Sequence, residues 1–369
     1  MANAKRTPVY VAIMAGGGGT RFWPLSREKR PKQMLSIFSN RSMISETVER
    51  IHPIASPANI FIVTTRSQAE EILREIPQIP RSNLLTEPVG RNTLPCLCLA
   101  ALHIQKRNPE AVMIALPADH FIADRRGFLR TLRVAVSFAR KQNFLVTLGV
   151  RPTEPETGYG YLQKGATLAQ VAGEQVFRVK AFREKPTRAK ARAYLRKGDY
   201  FWNSGMFIWR VGVFLEAVAK YLPRDYQKMT ALKTFLGTPN EGKILETIYR
   251  HLKPLSVDYG IMEKADNVAL IETQFTWNDV GSWAALCKIW PQDENGNALP
   301  KSKPPGKILA IDSSGCLIRG EEKLIAVIGL KNMVVVEAGD AFLVCPRERS
   351  QEVRRVLQEL KNKGWKEYL

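Results

Sequence analysis

Four consecutive glycines, Gly16–Gly19, directly follow an apolar run near the start of the chain. Because glycine has no Cβ, the backbone N–H groups of such a loop can approach phosphate oxygens closely. Arg21 and Lys32 follow at a spacing that would place positive charge around the same anion. The segment from Met14 to Gln33 therefore predicts a binding loop for a nucleoside triphosphate rather than a simple turn between a strand and a helix.

Two other nucleotide-binding loops fit this segment poorly. A P-loop requires Lys and then Ser or Thr directly after its last glycine, whereas Gly19 is followed by Thr20 and Arg21. The glycine spacing of a dinucleotide-binding fingerprint breaks at the same two residues, which disfavours a dehydrogenase. The chain also has only four histidines and no evident nucleophile–base pair, so acyl-transfer hydrolysis is not indicated.

A second candidate site lies in the segment LPADHFI, Leu116–Ile122. Asp119 stands just beyond an apolar run that predicts a buried strand, and ligands of parallel sheets bind at the carboxyl ends of the strands. Mg²⁺ takes one or two carboxylates together with phosphate oxygens and water, so Asp119 is a candidate ligand for this ion. His120 could contact the phosphates. Taken alone, Asp119 would be better explained as a helix cap or turn residue than as a metal ligand. The presence of the glycine loop favours its role as a Mg²⁺ ligand.

Apolar runs of strand length alternate with amphipathic stretches of helix length as far as Val150. This alternation predicts an α/β fold of Rossmann-like type, with a mixed, mostly parallel sheet flanked by helices. The predicted strands are Val9–Met14, Asn59–Thr64, Asn83–Thr86, Ala111–Leu116 and Phe144–Val150; the predicted helices are Ser42–Arg50, Gln68–Glu75, Leu94–Arg107 and Gly127–Gln142. After Gly149 the pattern becomes irregular and rich in aromatic residues. We interpret this half as an insertion that closes over the first and carries a second substrate.

The C-terminal part of the chain has a different character. Residues 291–305 are polar and rich in proline, which predicts a linker between a catalytic domain, 1–290, and a small C-terminal module, 306–369. Short apolar runs in this module predict strands, and their close spacing is typical of a β-helix-like fold. The predicted strands are Ile308–Ile311, Leu324–Ile328, Met333–Val336 and Ala341–Val344, followed by a basic helix over Arg349–Lys363.

Composition limits the remaining function classes. The 369 residues carry a net charge of +20, which fits an anionic substrate but would equally fit nucleic acid. The basic residues are dispersed and no nucleic-acid-binding motif is visible, so we expect no nucleic-acid partner. No apolar stretch is long enough to span a bilayer, and we expect no membrane association. The five cysteines are odd in number and form no C-x-x-C pair, which favours a reducing, cytoplasmic environment.

Eight motifs follow one another along the chain in a recognisable order, from the glycine loop to Trp283. They are MAGGGGTRFWPLS…RPKQ, EPVGRNT, LPADHFI, TGYGY, FREKP, WNSGMF, SVDYGIMEK and WNDVGSW. Together they resemble the mannose-1-phosphate guanylyltransferase family of sugar nucleotidyltransferases. The resemblance is close over Pro8–Trp290 and looser beyond.

The resemblance implies that GTP and mannose 1-phosphate are the substrates and that Mg²⁺ is the cofactor. The sugar phosphate would attack the α-phosphorus in line, giving GDP-mannose and pyrophosphate without a covalent enzyme intermediate. Catalysis would then depend mainly on positioning and charge neutralisation. Relatives that use another base or sugar, and relatives that bind nucleotide sugars without turnover, remain alternatives. The family also implies that the C-terminal module could support a homodimer.

The resemblance assigns residues to the two substrates. The backbone of Gly16, Gly17 and Gly19 would hold the triphosphate, Arg21 would balance the β- and γ-phosphates, and Lys32 would lie near the α-phosphate. Glu87 would select guanine, because one carboxylate can accept both N1–H and N2–H₂ of that base. The other assigned residues are Arg91 and Asn92 for phosphate or ribose oxygens, Gly158, Glu184, Asn203 and Asp258 for the sugar, Lys185 for the sugar phosphate, and Asp279 as the second Mg²⁺ ligand facing Asp119.

Overall fold

A nine-stranded sheet organises the N-terminal part of the chain. The computed structural model describes residues 7–300 and 307–369. The first eleven strands are β1 (Val9–Met14), β2 (Ile60–Thr65), β3 (Leu84–Glu87), β4 (Val112–Pro117), β5 (Phe121–Ile122), β6 (Leu145–Val150), β7 (Tyr161–Val171), β8 (Glu174–Arg183), β9 (Tyr200–Arg210), β10 (Val268–Glu272) and β11 (Trp277–Asn278). All but β5 and β11 belong to the large sheet, whose order is β3-β2-β1-β4-β9-β6-β10-β8-β7.

The sheet is mixed, as the sequence predicts. Strands β3, β2, β1 and β4 are parallel, whereas β9 runs antiparallel to both of its neighbours, β4 and β6. The interpretation of the second half as an insertion above the sheet is wrong for β9, which lies at the centre of the sheet. Residues on both faces of β9 are buried, so both faces of the sheet must be covered at this strand, as in the interior of an α/β sheet.

Helices cover both faces of the sheet and create two apolar cores. The predicted helices of the first half are present, with ends that differ by one or two residues. The helices are α1 (Met43–Ile51), α2 (Ala69–Glu75), α3 (Thr93–Arg107), α4 (Arg125–Lys141), α5 (Arg188–Lys197), α6 (Val211–Tyr221), α7 (Pro223–Thr230), α8 (Glu241–Arg250), α9 (Trp283–Leu286) and α10 (Val353–Asn362). Helix α3 is buried on nearly all sides because it packs between the sheet and α6 and α7.

The C-terminal domain stacks short strands in β-helix fashion. They are β12 (Ile308–Ile311), β13 (Leu317–Arg319), β14 (Ile325–Ile328), β15 (Met333–Ala338) and β16 (Ala341–Pro346). Strand β12 pairs in parallel with β14, and β13 pairs in parallel with β15 at the same sequence offset. The described part of the expected linker is ordered against this domain, since buried Ala298 pairs with Leu317. Residues 301–305 of that linker lie outside the described residues.

A third apolar core joins the C-terminal domain to the segment after the glycine loop. Phe22 and Trp23 pack there with Val334 and Leu357. Trp23 Nε1 donates to the backbone oxygen of Tyr368 at 2.8 Å. The C-terminal domain therefore supports the loop from behind.

Two further expectations can be compared with the structure. The five cysteines are free thiols, and four of them are buried. Within 7–300 and 307–369, no helix is long and apolar enough to cross a membrane.

Candidate active site

The glycine loop begins where β1 ends. Gly19 has a φ of 51°, in the left-handed region that favours glycine. A Cβ placed on Gly19 would lie 2.4 Å from Lys32 Cβ and 2.5 Å from Lys32 N. In contrast, a Cβ on Gly17 would meet no atom within 4 Å. Gly19 is therefore required by the close approach of Lys32, whereas Gly17 faces open space.

Gln33 was not predicted as a site residue, yet it fixes the start of the loop. Its buried Nε2 donates to the backbone oxygen of Ala15 at 2.7 Å and to Gln68 Oε1 at 2.9 Å. Thr64 Oγ1 donates to the same Ala15 oxygen at 3.1 Å. These bonds satisfy the Ala15 carbonyl, so the chain turns into the loop at a defined point.

A two-stranded antiparallel ribbon brings Asp119 and Asp279 together. In the pairing of β5 with β11, Asn278 lies opposite Phe121. One residue further in this register, Asp279 comes opposite His120 and beside Asp119. The two predicted metal ligands thus reach one place although they are far apart in sequence.

Lys32 connects these two strand ends. Its side chain is only 8% exposed, and Nζ donates to Asp119 Oδ2 at 2.8 Å and to the backbone oxygen of Asp279 at 2.6 Å. Burial opposes the charged form of Asp119, but the Lys32 ammonium, its hydrogen bond and further favourable contacts together outweigh burial and lower the pKa of Asp119 below its ordinary value. Asp119 is therefore ionised at neutral pH, and the buried cation has a partner.

A cavity of about 370 Å³ collects these groups. Its walls combine loop backbone, basic side chains and the two aspartates, which is suited to a polyanion held with a metal ion. The lining residues are Gly18, Gly19, Thr20, Arg21, Phe22, Lys32, Asp119, His120, Asp279, Val280, Gly281 and Arg354. Arg354 belongs to α10 in the C-terminal domain and was not predicted from the sequence.

His120 lines the cavity as a neutral side chain. Trp277 Nε1 donates to His120 Nδ1 at 3.0 Å, which leaves the imidazole proton on Nε2. Burial lowers the pKa of His120 to about 4, and the Asp119 charge reduces this shift without cancelling it. His120 can therefore offer a hydrogen bond to a phosphate, but not a positive charge at neutral pH.

Tyr159 is a further residue that motif reasoning did not assign. Its hydroxyl donates to Asp279 Oδ1 at 2.6 Å, and its ring packs edge-on against Trp202 and Trp277. Burial, reinforced by the Asp279 charge, raises the pKa of Tyr159 above its ordinary value, so the phenol stays protonated as a donor. Tyr159 thereby orients one of the two aspartates and links the cavity to β9.

A buried polar cluster lies next to this tyrosine, on and around β9. Asn203 Nδ2 donates to Asp258 Oδ1 at 2.8 Å, and Thr147 Oγ1 donates to Asn203 Oδ1 at 3.0 Å. Burial, followed by the Glu184 charge, raises the pKa of Asp258 to about 6. The structure therefore brings together three of the residues predicted for the sugar.

Glu184 and Lys185 occupy the edge of the same cluster. Lys185 Nζ lies 3.1 Å from Glu184 Oε1 and is largely exposed. Within the described residues, the buried Oε2 of Glu184 has no hydrogen-bond partner. A Cβ on Gly160 would lie 2.3 Å from that oxygen, so a larger residue there would displace the Glu184 carboxylate. An unpaired buried carboxylate oxygen is costly unless a donor, such as a sugar hydroxyl, reaches it.

Glu87 lies behind the glycine loop rather than in the 370 Å³ cavity. It is 3% exposed, and its Oε1 accepts a hydrogen bond from Tyr249 at 3.0 Å. Burial raises the pKa of Glu87 to about 7, although the Tyr249 hydrogen bond opposes this shift. A Cβ on Gly16 would lie 3.2 Å from Oε2, so the second oxygen adjoins the loop.

Three predicted contacts have other partners in this structure. Asn92 caps α3, with Oδ1 accepting from Thr93 N at 2.8 Å, and Arg91 Nε donates to the backbone oxygen of Tyr249 at 3.1 Å. The N–H of Gly158 donates to Glu156 Oε1 at 2.9 Å. None of the three lines the cavity, and their roles as ligands stay predictions.

The glycine loop at the end of β1, with cations and carboxylates around one cavity, defines the class of a nucleotidyltransferase. Comparison with known families agrees, because residues 10–296 match the nucleotidyl transferase model. Residues 306–360 match the model of the mannose-phosphate isomerase/GMP-like β-helix domain.

Individual relatives narrow the class. The mannose-1-phosphate guanylyltransferase of Klebsiella pneumoniae is 40% identical, over 96% of this chain and 74% of that protein. One from Escherichia coli is 39% identical with the same coverage. A solved structure named as a mannose-1-phosphate geranyltransferase from Thermus thermophilus superposes with a TM-score of 0.86, at 35% identity, over 96% of this chain and 100% of that one. The chain belongs to the mannose-1-phosphate guanylyltransferase family.

Proposed function

We propose that this protein joins GTP to mannose 1-phosphate and releases GDP-mannose and pyrophosphate. The observation that carries the proposal is the Lys32 side chain, which connects Asp119 to the Asp279 backbone inside a cavity walled by the glycine loop. Cations, carboxylates and free backbone groups around one cavity are what a triphosphate with a metal ion requires. The similarity to the mannose-1-phosphate guanylyltransferases of Klebsiella and Escherichia supports the same reaction.

The reaction needs positioning more than proton transfer. A phosphate oxygen of mannose 1-phosphate attacks the α-phosphorus of GTP, and the bond from that phosphorus to the pyrophosphate oxygen breaks. The attacking group is a phosphate monoester, which is largely ionised at neutral pH because its second pKa is about 6. No side chain therefore has to remove a proton, which explains how a site without a nucleophile–base pair can suffice.

Arg21 and Lys32 supply the charge that this transfer demands. Negative charge develops on the α-phosphate and on the leaving pyrophosphate as the bond breaks. Arg21 lines the cavity beside the loop and is held by a hydrogen bond from its Nη1 to Gly281 O at 3.3 Å. Lys32 is already desolvated, so its charge acts at the phosphate with little screening by water.

Asp119 and Asp279 fit the Mg²⁺ that the family resemblance implies. Both carboxylates line the cavity, and Mg²⁺ usually binds one or two carboxylates together with substrate phosphates and water. Across the described ranges, no cluster of three or more His, Cys, Asp or Glu side chains could hold a metal. Phosphate oxygens and water would therefore complete the coordination. Bound there, the ion would neutralise phosphate charge and favour departure of pyrophosphate.

The second substrate is assigned to the polar cluster around β9. Asn203, Asp258 and Glu184 offer hydrogen-bonding groups to sugar hydroxyls, and Lys185 offers a positive charge to the sugar phosphate. The backbone oxygen of Tyr159 accepts from Lys185 N at 3.2 Å and its hydroxyl donates to Asp279, so it keeps the two halves of the site in register. Glu87, adjoining Gly16, is proposed as the group that accepts the two N–H donors of guanine.

A geranyl transfer, as in the name of the Thermus structure, is disfavoured by the cavity. A geranyl group is apolar, whereas the walls here carry Arg21, Lys32 and two carboxylates with few apolar side chains. Apolar ligands usually bind where hydrophobic side chains predominate.

A substrate panel tests the proposal. Pyrophosphate release is measured with purified protein, Mg²⁺, each of four nucleoside triphosphates and several sugar 1-phosphates. We expect GTP with mannose 1-phosphate to give the highest rate. Equal turnover of UTP would overturn the assignment of Glu87, and binding of GDP-mannose without turnover would favour a sensor.

A further inference from the structure

We propose that Arg354 of helix α10 is a second phosphate-binding arginine, so that the C-terminal domain completes the triphosphate-binding cavity. This inference rests on the proposed function and names a residue that the glycine loop and its motifs do not include. Arg354 lines the same cavity as Gly19, Arg21 and Lys32. Among the described residues, Arg354 is the only one from the C-terminal domain that lines this cavity.

The position of Arg354 is fixed by packing rather than by chance contact. Helix α10 packs against the short turn Thr20–Phe22 that follows the glycine loop. On its buried face, Val353 and Leu357 join the core that also contains Phe22 and Trp23. The residue next to Val353 is thereby held at the rim of the cavity.

Further contacts tie the same domain to the loop. Arg27 Nη1 donates to the backbone oxygen of Glu367 at 3.0 Å. Lys361 Nζ lies 3.1 Å from Glu28 Oε1. Because these contacts tie the end of the chain to the residues that follow the glycine loop, α10 is expected to keep its place when substrates bind.

The charge around Arg354 favours an anion. Arg354 lies close enough to Arg21 that its charge is felt there: burial first, and then Arg354, lower the pKa of Arg21, while Asp279 and Asp119 act in the opposite direction. Among the described residues, no carboxylate forms an ion pair with Arg354, whereas its neighbour Arg355 pairs with Glu352 at 2.8 Å. Two guanidinium groups facing one cavity repel each other unless an anion lies between them.

The chemistry points to the pyrophosphate part of the nucleotide. Arg21 and Arg354 both line the cavity and lie close enough for their charges to interact, whereas Lys32 is engaged with Asp119 and with the backbone of Asp279. Guanidinium groups bind phosphate oxygens through paired N–H donors. Arg354 would therefore bind the β- and γ-phosphates of GTP and the pyrophosphate that they become.

The experiment compares Arg354→Gln with Arg355→Gln, which removes the same charge from the next residue of the helix, an exposed arginine that does not line the cavity. KM values are measured for GTP and mannose 1-phosphate, and in the reverse direction for pyrophosphate. For Arg354→Gln we expect the KM of GTP and of pyrophosphate to rise about tenfold. This is the low end of the range for losing a hydrogen bond to a charged group, because the Arg354 side chain is exposed. The KM of mannose 1-phosphate and the thermal midpoint should match those of Arg355→Gln. Arg354→Lys keeps the charge but loses the paired donors, so it should recover only part of the loss.

Direct binding separates this inference from the proposed reaction. Inorganic pyrophosphate with Mg²⁺ is titrated into each full-length protein by calorimetry, which requires no turnover. Weaker binding by Arg354→Gln than by Arg355→Gln supports the inference even if the wild-type protein forms no GDP-mannose. Equal pyrophosphate affinity and equal KM values in the two variants would overturn it.

Discussion

Replacing Gly19 with alanine perturbs the closest contact of the loop. Alanine at a φ of 51° is strained by about 1–2 kcal/mol. Its Cβ would lie 2.4 Å from Lys32 Cβ, whereas ordinary contact begins at 3.4 Å, so one of the two backbones must move by about 1 Å. Overpacking of this kind costs about 1–3 kcal/mol, and the two terms together predict a loss of about 2–5 kcal/mol in the free energy of unfolding.

The same displacement should impair catalysis. Lys32 holds Asp119 and the Asp279 backbone through contacts of 2.8 and 2.6 Å, which a shift of the Lys32 backbone would break. A misplacement of about 1 Å in a catalytic constellation can cost about 100-fold, and we expect kcat/KM to fall by that order. The variant should therefore lose both stability and activity.

Urea denaturation and initial rates measure the two effects, with two glycine controls. Gly212→Ala, in α6, adds a Cβ that meets no atom within 4 Å, so it should leave both quantities near the wild-type values. Gly17→Ala also meets no protein atom within 4 Å, so a raised KM for GTP at wild-type stability would report phosphates close to the loop. Wild-type stability and kcat/KM in Gly19→Ala would refute the reasoning.

Three further predictions concern other parts of the site. Burial raises the pKa of Glu87 to about 7, so its carboxylate predominates above that pH and is lost as pH falls. The affinity for GDP-mannose, measured by calorimetry, should therefore weaken as the pH falls from about 8 to about 6. If Glu87→Gln showed the same loss of affinity with pH, the Glu87 carboxylate would not be its cause. Tyr159→Phe removes the hydrogen-bond donor to Asp279, so the Mg²⁺ concentration that gives half the maximal rate should rise about tenfold. An unchanged Mg²⁺ concentration would exclude Tyr159 from positioning the Asp279 carboxylate. Asn203→Ala leaves Asp258 without its amide partner and should cost about 1–3 kcal/mol in urea denaturation. The same variant should raise the KM of mannose 1-phosphate more than that of GTP, and equal effects on both would argue against a sugar site there.

The elements of the first half follow from local patterns. Helix α3 contains a long apolar run over Leu94–Leu102 and strand β4 is apolar throughout, so both elements were predictable although their ends shifted slightly. The place of strand β9 in the sheet was not predictable, because its position between β4 and β6 depends on pairings with residues far away in sequence. The segment WNSGMF also contains aromatic residues and a central glycine, so its sequence does not show the continuous aliphatic pattern of a strand that is buried on both faces.

The site was predictable to the extent that its residues lie in motifs. The loop, Asp119 and Asp279 stand at strand ends, Lys32 lies in a short turn after the loop, and the structure brings them to one cavity. Tyr159 and Arg354 escaped prediction because their importance comes from contacts between distant elements, such as the bond from Tyr159 to Asp279. A sequence pattern also cannot distinguish Asn92 as a helix cap from Asn92 as a ligand, since both uses employ the same side-chain oxygen.

The most direct test of the central claim uses labelled sugar phosphate. Purified protein is incubated with GTP, Mg²⁺ and ³²P-labelled mannose 1-phosphate, and labelled GDP-mannose and free pyrophosphate are quantified together, with Asp119→Asn as the matched variant. The account predicts that both products form in equal amounts with the wild-type protein and fall to background with Asp119→Asn. Release of pyrophosphate without labelled GDP-mannose, or full activity in the variant, would contradict it.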